Sequence, residues 1–131
     1  FRGQERKNLM ETVFTYTRQN AIEDGVLVDI SPTARQAGLK YPVAITERVN
    51  NTIGNIPPLY DHEDYYGRLW DFVWMCRNAT RNSKGDTLFF QVVIHTENNL
   101  LKREIPITLK AICHGGDHRE PVITIMFPDE D

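Results

Sequence analysis

The stretch Tyr65-Tyr66-Gly67-Arg68-Leu69-Trp70-Asp71-Phe72-Val73-Trp74-Met75-Cys76-Arg77-Asn78-Ala79-Thr80 decides how the rest of the chain is read. At about 100° per residue, Tyr65, Tyr66, Leu69, Trp70, Phe72, Val73, Trp74, Cys76 and Ala79 fill one broad apolar arc. Gly67, Arg68, Asp71, Met75 and Asn78 share the narrow face that remains. A surface helix carries a narrower apolar stripe, so the spacing predicts a central buried helix over about 65–81, with both indole rings shielded. The ends are marked too. Asp61 and Asp64 have the spacing of a capping box. Arg77 and Arg81 lie where the helix dipole favours positive charge, and Ser83-Lys84-Gly85-Asp86 stops the helix with a glycine.

Downstream of this helix the period changes from helical to alternating. Thr87 to Thr96, about Glu104 to Cys113, and Pro121 to Phe127 read as three strands. Glu97-Asn98-Asn99 and His114-Gly115-Gly116-Asp117 read as the turns between them. Turns this short predict a C-terminal three-stranded antiparallel meander packed on the central helix. Upstream, Thr17 caps a short helix, Arg18 to Glu23, and Val26 to Ile30 reads as a short buried strand. Ser31-Pro32 opens a second helix that ends at Gly38, with Ser31 as its cap. Pro42 limits Tyr41–Ile45 to an edge strand. Thr46 caps a third helix with Val49 and Ile53 on one side. N-terminal segments such as Val26–Ile30 would bring the sheet to four or five strands. Residues 1–8 are expected to form a flexible arm, with β-formers in Val13-Phe14-Thr15-Tyr16, and residues 9–131 a single domain of the α+β class.

The 131 residues suit one domain, with 40% hydrophobic residues for a core and 25% charged residues. A net charge of −3 argues against general nucleic-acid binding, which prefers a basic footprint. No apolar run approaches the ~18 residues of a membrane span, and no signal-peptide pattern opens the chain. A start at Phe1 rather than Met is expected of a chain trimmed at its N-terminus. Cys76 and Cys113 are too few for a disulfide framework and lie in apolar segments, so buried reduced thiols and a cytoplasmic location are expected.

Three segments, in this order, resemble a known family. They are Tyr16-Thr17-Arg18-Gln19-Asn20-Ala21-Ile22-Glu23-Asp24-Gly25-Val26-Leu27-Val28-Asp29-Ile30-Ser31, then Gly67-Arg68-Leu69-Trp70-Asp71-Phe72-Val73-Trp74-Met75, then Glu120-Pro121-Val122-Ile123-Thr124-Ile125-Met126-Phe127-Pro128-Asp129-Glu130-Asp131. The chain is similar over most of its length to a family of small uncharacterised proteins found in bacteria and their phages and plasmids. The resemblance implies a bacterial or mobile-element protein. It carries no catalytic residue, cofactor or partner with it.

The residues themselves offer four kinds of chemistry. Cys113-His114-Gly115-Gly116-Asp117-His118 places a thiolate, two imidazoles and a carboxylate in one turn. Cys113, His114 and His118 are therefore candidate metal ligands, but the second ligand pair a zinc site needs is missing, and a polar hairpin tip explains the same residues. Arg18, Asp29, Arg68 and Asp71 are the candidate binding residues. Brought together they would form an ion-pair network, structural or lining a pocket. No nucleophile elbow or phosphate loop is present, and Ser31 and Ser83 are accounted for by helix ends. His62 and His95 read as surface residues. Arg77, Arg81 and Lys84, with Lys102-Arg103, could touch phosphates, but helix-dipole complementation and edge protection explain them as well. The tail Asp129-Glu130-Asp131 is either solvated or an acidic lure for a basic partner.

The sequence therefore predicts a non-enzymatic accessory protein, without cofactor, that binds a macromolecular partner from the host or the mobile element. A small hydrolase-like enzyme is the alternative, and nucleic-acid binding comes third.

Overall fold

The computed structural model describes residues 16–98 and 101–130. The 1–8 arm, most of the Val13–Tyr16 segment, Asn99 of the first turn and Asp131 of the tail lie outside the described residues. The elements run α1 (Arg18–Glu23), β1 (Leu27–Asp29), α2 (Ser31–Gln36), β2 (Val43–Thr46), α3 (Glu47–Gly54), a 3-10 turn (Pro58–Tyr60), α4 (Tyr65–Thr80), β3 (Thr87–Asn98), β4 (Leu101–Gly115) and β5 (Pro121–Met126). This is the α+β class. The five strands form one sheet in the order β1-β2-β5-β4-β3.

The meander is present, since β3 pairs antiparallel with β4 and β4 with β5. β5 then pairs parallel with β2, which pairs antiparallel with β1. Two expectations are corrected by this order. β2 is an interior strand, because Pro42 lies one residue before the strand and its missing N–H falls outside the ladder; its carbonyl accepts from Ile123 at 2.8 Å. Val43, Ala44 and Ile45 are fully buried. β1, read as buried, is the edge strand and only partly covered.

α2, α3 and α4 pack on one face of the sheet. Ala34, Val49, Ile53, Leu69, Phe72, Val73 and Cys76 meet Ile45, Phe90, Val92, Leu109, Ala111, Ile123 and Ile125 in a single core. Burial of large apolar side chains at roughly 1.5–3 kcal/mol each makes this layer the main source of stability. α1 lies on the opposite face, where the Arg18 guanidinium donates to Thr124 Oγ1 at 2.8 Å and to the Ile123 carbonyl at 3.0 Å. β5 is therefore covered on both faces, with Val122 and Thr124 as buried as Ile125. β4 outruns it. Lys110–Gly115 pair with β5, whereas Leu101–Leu109 pair only with β3, so the β3–β4 ribbon projects past the sheet.

Caps set the helix starts. Thr17 and Asn20 form a reciprocal capping box at α1, and Thr46 caps α3 through Val49 N–H. Asp64, not Asp61, caps α4; its carboxylate accepts from Gly67 N–H at 2.7 Å. Ser31 does not cap α2. Its hydroxyl donates to Asp29 Oδ1 at 2.6 Å and accepts from Val43 N–H at 3.0 Å, which pins β1 to β2.

The central helix spans the expected residues but not with the expected exposure. Arg68, Leu69, Phe72, Val73 and Cys76 face inward. Trp70 is 37% and Trp74 41% exposed, and Tyr66 73%. The indoles are thus not shielded by the fold. A single sheet can cover only one stripe of a helix, and the apolar arc of α4 is wider than that stripe.

Candidate functional site

Two features meet on α4. The first is a cleft of about 260 Å³ at its N-terminal half, between the helix and β3. His62, Glu63, Asp64, Gly67, Arg68, Asp71 and Phe72 line it from the helix and the segment before it, and Val92–His95 line it from β3. Gly67 matters here because a Cβ at that position would stand 3.2 Å from the capping Asp64 oxygen.

Arg68 organises the cleft floor. It is 6% exposed, an unusual burial for a guanidinium. Its Nε donates to Glu63 Oε1 at 3.2 Å and its Nη1 to the Asn55 carbonyl at 3.1 Å. Nη2 donates to the His95 carbonyl, and a longer contact reaches the Thr52 carbonyl. The buried charge is therefore met on every side, the condition for keeping it there. Glu63 turns its other oxygen to His95 Nδ1 at 2.5 Å, and His95 Nε2 faces Glu104 at 3.1 Å. The His95 ring stacks on Tyr60, centroids 4.9 Å apart. Glu63, Arg68 and His95 thus bind the segment before α4 to the β3–β4 ribbon.

The ionisations follow from these partners. His95 is raised above its usual value by the hydrogen bond to Glu63, against a partial desolvation and with help from Glu104. Burial pushes the Glu63 carboxyl up, but the bonds from His95 and Arg68 outweigh it and hold it below the usual carboxylate range. Asp71 goes the other way, raised by burial and by the nearby Glu63 charge. Two carboxyls pushed apart in one cleft are the raw material of acid–base chemistry. Among the described residues the lining holds no serine, threonine or cysteine, and its titratable groups are carboxyls, imidazoles and the Arg68 guanidinium.

The second feature is the outward ridge of α4. Tyr66, Trp70 and Trp74 recur at i, i+4 and i+8. The two indoles stack on one another, centroids 5.9 Å apart and planes 15° apart. Arg77 lies over the Trp74 ring at 5.2 Å, and its Nε stands 3.2 Å from where a Cβ on Gly38 would sit. Gly38, at φ +101°, is held by Arg77 as well as by its turn.

The four binding candidates do not converge. Arg68 and Asp71 share the cleft. Arg18 and Asp29 lie with α1 and β1, where Asp29 accepts from Ser31. Burial lowers the Arg18 pKa while Asp29, Asp117 and Glu120 oppose the shift. The residues of the 113–118 turn are also separated. Cys113 packs against the core and His114 Nε2 faces Thr124 Oγ1 at 2.8 Å. Asp117 accepts from the Arg18 and Gln19 N–H groups, which hold its carboxyl below its ordinary range. Among the described residues no group of three His, Cys, Asp or Glu is placed to hold a metal. The acidic tail is tied down: Asp129 pairs with Arg48 at 2.7 Å and Glu130 accepts from Thr46 and from Phe127 N–H.

Glu63, His95 and Glu104 escaped sequence reasoning. The available signal was the strand alternation that puts His95 directly opposite Glu104. Nothing local tied either to Glu63, 32 residues upstream of His95.

Residues 7–131 match the profile of a family of unknown function, DUF6573. The chain belongs to DUF6573. The match covers every strand and helix described above, so the cleft and the aromatic ridge of this DUF6573 protein both lie within the matched residues. No curated protein and no solved structure matches the chain. Among the described residues of the DUF6573 protein no helix is long and apolar enough to cross a membrane.

Proposed function

We propose that this DUF6573 protein is a small cytoplasmic accessory protein of a bacterium or mobile element, one domain over residues 9–131, that acts by binding a macromolecular partner. The partner is a protein of the host or of the mobile element, and it docks on the outward face of α4. One observation carries the reading: two stacked, half-exposed indoles beside an exposed tyrosine on one rigid helix. Trp, Tyr and Arg dominate the residues that hold interfaces together, and large aromatics are seldom left wet without a role. The net charge of −3, with Asp64 and Asp71 exposed on the same helix, favours a protein over nucleic acid. The bacterial or mobile-element source rests on the resemblance of the three quoted segments, and the cytoplasmic location on two free cysteines.

Affinity capture from a bacterial lysate tests the reading. Wild-type protein is expected to retain at least one protein that a Trp70→Ala/Trp74→Ala variant loses. Capture of the same set by both would end it.

The cleft favours a second reading, a small hydrolase-like enzyme in which Asp71 and Glu63 divide acid and base roles over the Arg68 charge. Arg18 and Asp29 would then serve a separate contact on the other side of the sheet. Turnover of ester, phosphate or glycoside probes that is abolished by Asp71→Asn would favour it over partner binding.

A further inference from the structure

We infer that the first occupant of the outward α4 face is a second copy of this chain, packed antiparallel across a two-fold axis. The inference rests on the reading of that face as a contact surface and names what covers it until the partner protein displaces it.

The argument starts from how charge is laid along the helix. The ridge Tyr66-Trp70-Trp74 is flanked at its N-terminal end by the exposed carboxylates of Asp61 and Asp64. At its C-terminal end it continues into Arg77, Arg81 and Lys84, the last two exposed. The helix is acidic at one end, aromatic in the middle and basic at the other. Such a surface is complementary to itself in one orientation only. A parallel pair would set carboxylate on carboxylate and guanidinium on guanidinium. An antiparallel pair sets Asp61 and Asp64 of each copy toward Arg81 and Lys84 of its partner, and opposes the two helix dipoles favourably. A two-fold contact of this kind uses the same patch on both copies, as most homodimers do.

The centre fits the same arrangement. Trp70 and Trp74 flank the midpoint of α4, so a two-fold axis between them brings four indoles together. They are already stacked within one chain, which leaves little rotamer freedom to lose on association. α4 spans 16 residues, about 24 Å of helix. One helix pair of that length lies at the small end of stable interfaces, so a dissociable dimer is expected, in equilibrium with monomer at micromolar concentrations. The cleft opens beside the ridge, and the basic end of the partner helix would reach its rim at Asp64.

Sedimentation equilibrium of the full chain over about 1–200 µM reads the result directly. The expected outcome is a rise from the 15.2 kDa monomer to twice that mass, with a midpoint in the micromolar range. Trp74→Glu should remain monomeric throughout while keeping the far-ultraviolet circular dichroism of the wild type. Arg81→Glu should weaken the dimer at least about tenfold, and adding Asp61→Arg should recover most of that loss, since the swapped charges again face each other. A 15.2 kDa species at every concentration would overturn the inference, as would a dimer indifferent to Trp74→Glu. A monomer that still captures a lysate protein in a Trp74-dependent way would sink self-association alone and leave the contact-surface reading standing. A Trp74-dependent shift of single-stranded DNA by a monomer would replace the occupant with nucleic acid.

Discussion

Phe72 and Trp74 are two residues apart on one helix, both large and aromatic, and they end in opposite surroundings. Phe72 is 1% exposed among Val92, Leu109 and their neighbours, while Trp74 stacks on Trp70 in the open. Arg68 completes the contrast, since a charged side chain lies deeper than either indole. Hydrophobicity states which side chains can be buried without cost. Which ones are buried is set by the width of the covering layer and by whether a polar group finds partners there. The inward face of α4 is therefore a stability feature, and the outward face carries little of the fold's free energy.

Mutations on the two faces should separate cleanly. The largest loss is expected for Phe72→Ala, about 3–5 kcal/mol from a cavity in the centre of the core. Urea denaturation would show it as a large fall in midpoint at unchanged slope. Arg68→Met should follow at about 3 kcal/mol, because it strands Glu63 and three backbone carbonyls in a half-dry site; Glu63→Gln in the same background should return part of the loss. Trp74→Ala should cost no more than about 1.5 kcal/mol, well below Phe72→Ala, since much of its surface is already in water. A loss equal to that of Phe72→Ala would erase the distinction between the faces. Asp64→Ala should remove about 1 kcal/mol by uncapping α4, with Asp64→Ser close to neutral.

The smallest effect is a pH dependence in the cleft. His95 binds its proton more tightly when folded, so its contribution is full below about pH 6.5 and fades as pH rises through the raised native value. Glu63 is shifted down, so its contribution is present above about pH 4.3 and fades only as pH falls through the lowered native value. The wild-type urea midpoint should therefore decline, relative to His95→Gln, as pH is raised from about 6 to 9. His95 is partly open to solvent, which keeps the effect shallow. A pH-independent difference between the two proteins would mean that the imidazole is held by packing on Tyr60 alone.

Much of the fold was legible because its signals are local. Thr17, Thr46 and the acidic residues before α4 announce helix starts through groups within three residues of each other. The β3–β4–β5 meander follows from alternation and short connections. What could not be read depends on distant partners. β2 reads as an edge strand until β5, some 80 residues later, is known to lie beside it. The same limit applied to the site. Arg68 and Asp71 stood out as charges inside an apolar run, but Glu63 and His95 gain meaning only once β3 crosses the start of α4. The apolar arc overstates the burial of α4 because it counts apolar residues and not the number of layers available to cover them.

The seat of β5 has a consequence for how the chain is made. It is the latest strand in sequence among the described residues, yet it lies in the middle of the sheet and joins the two-stranded N-terminal half to the ribbon. During synthesis, β2 leaves the ribosome with an open edge and must wait for some 80 further residues before it is matched. A nascent chain stalled before Pro121 holds two unjoined pieces of sheet with their apolar sides exposed. Such a product is material for chaperones and proteases, so the order of synthesis leaves the closure of the sheet to the last strand made.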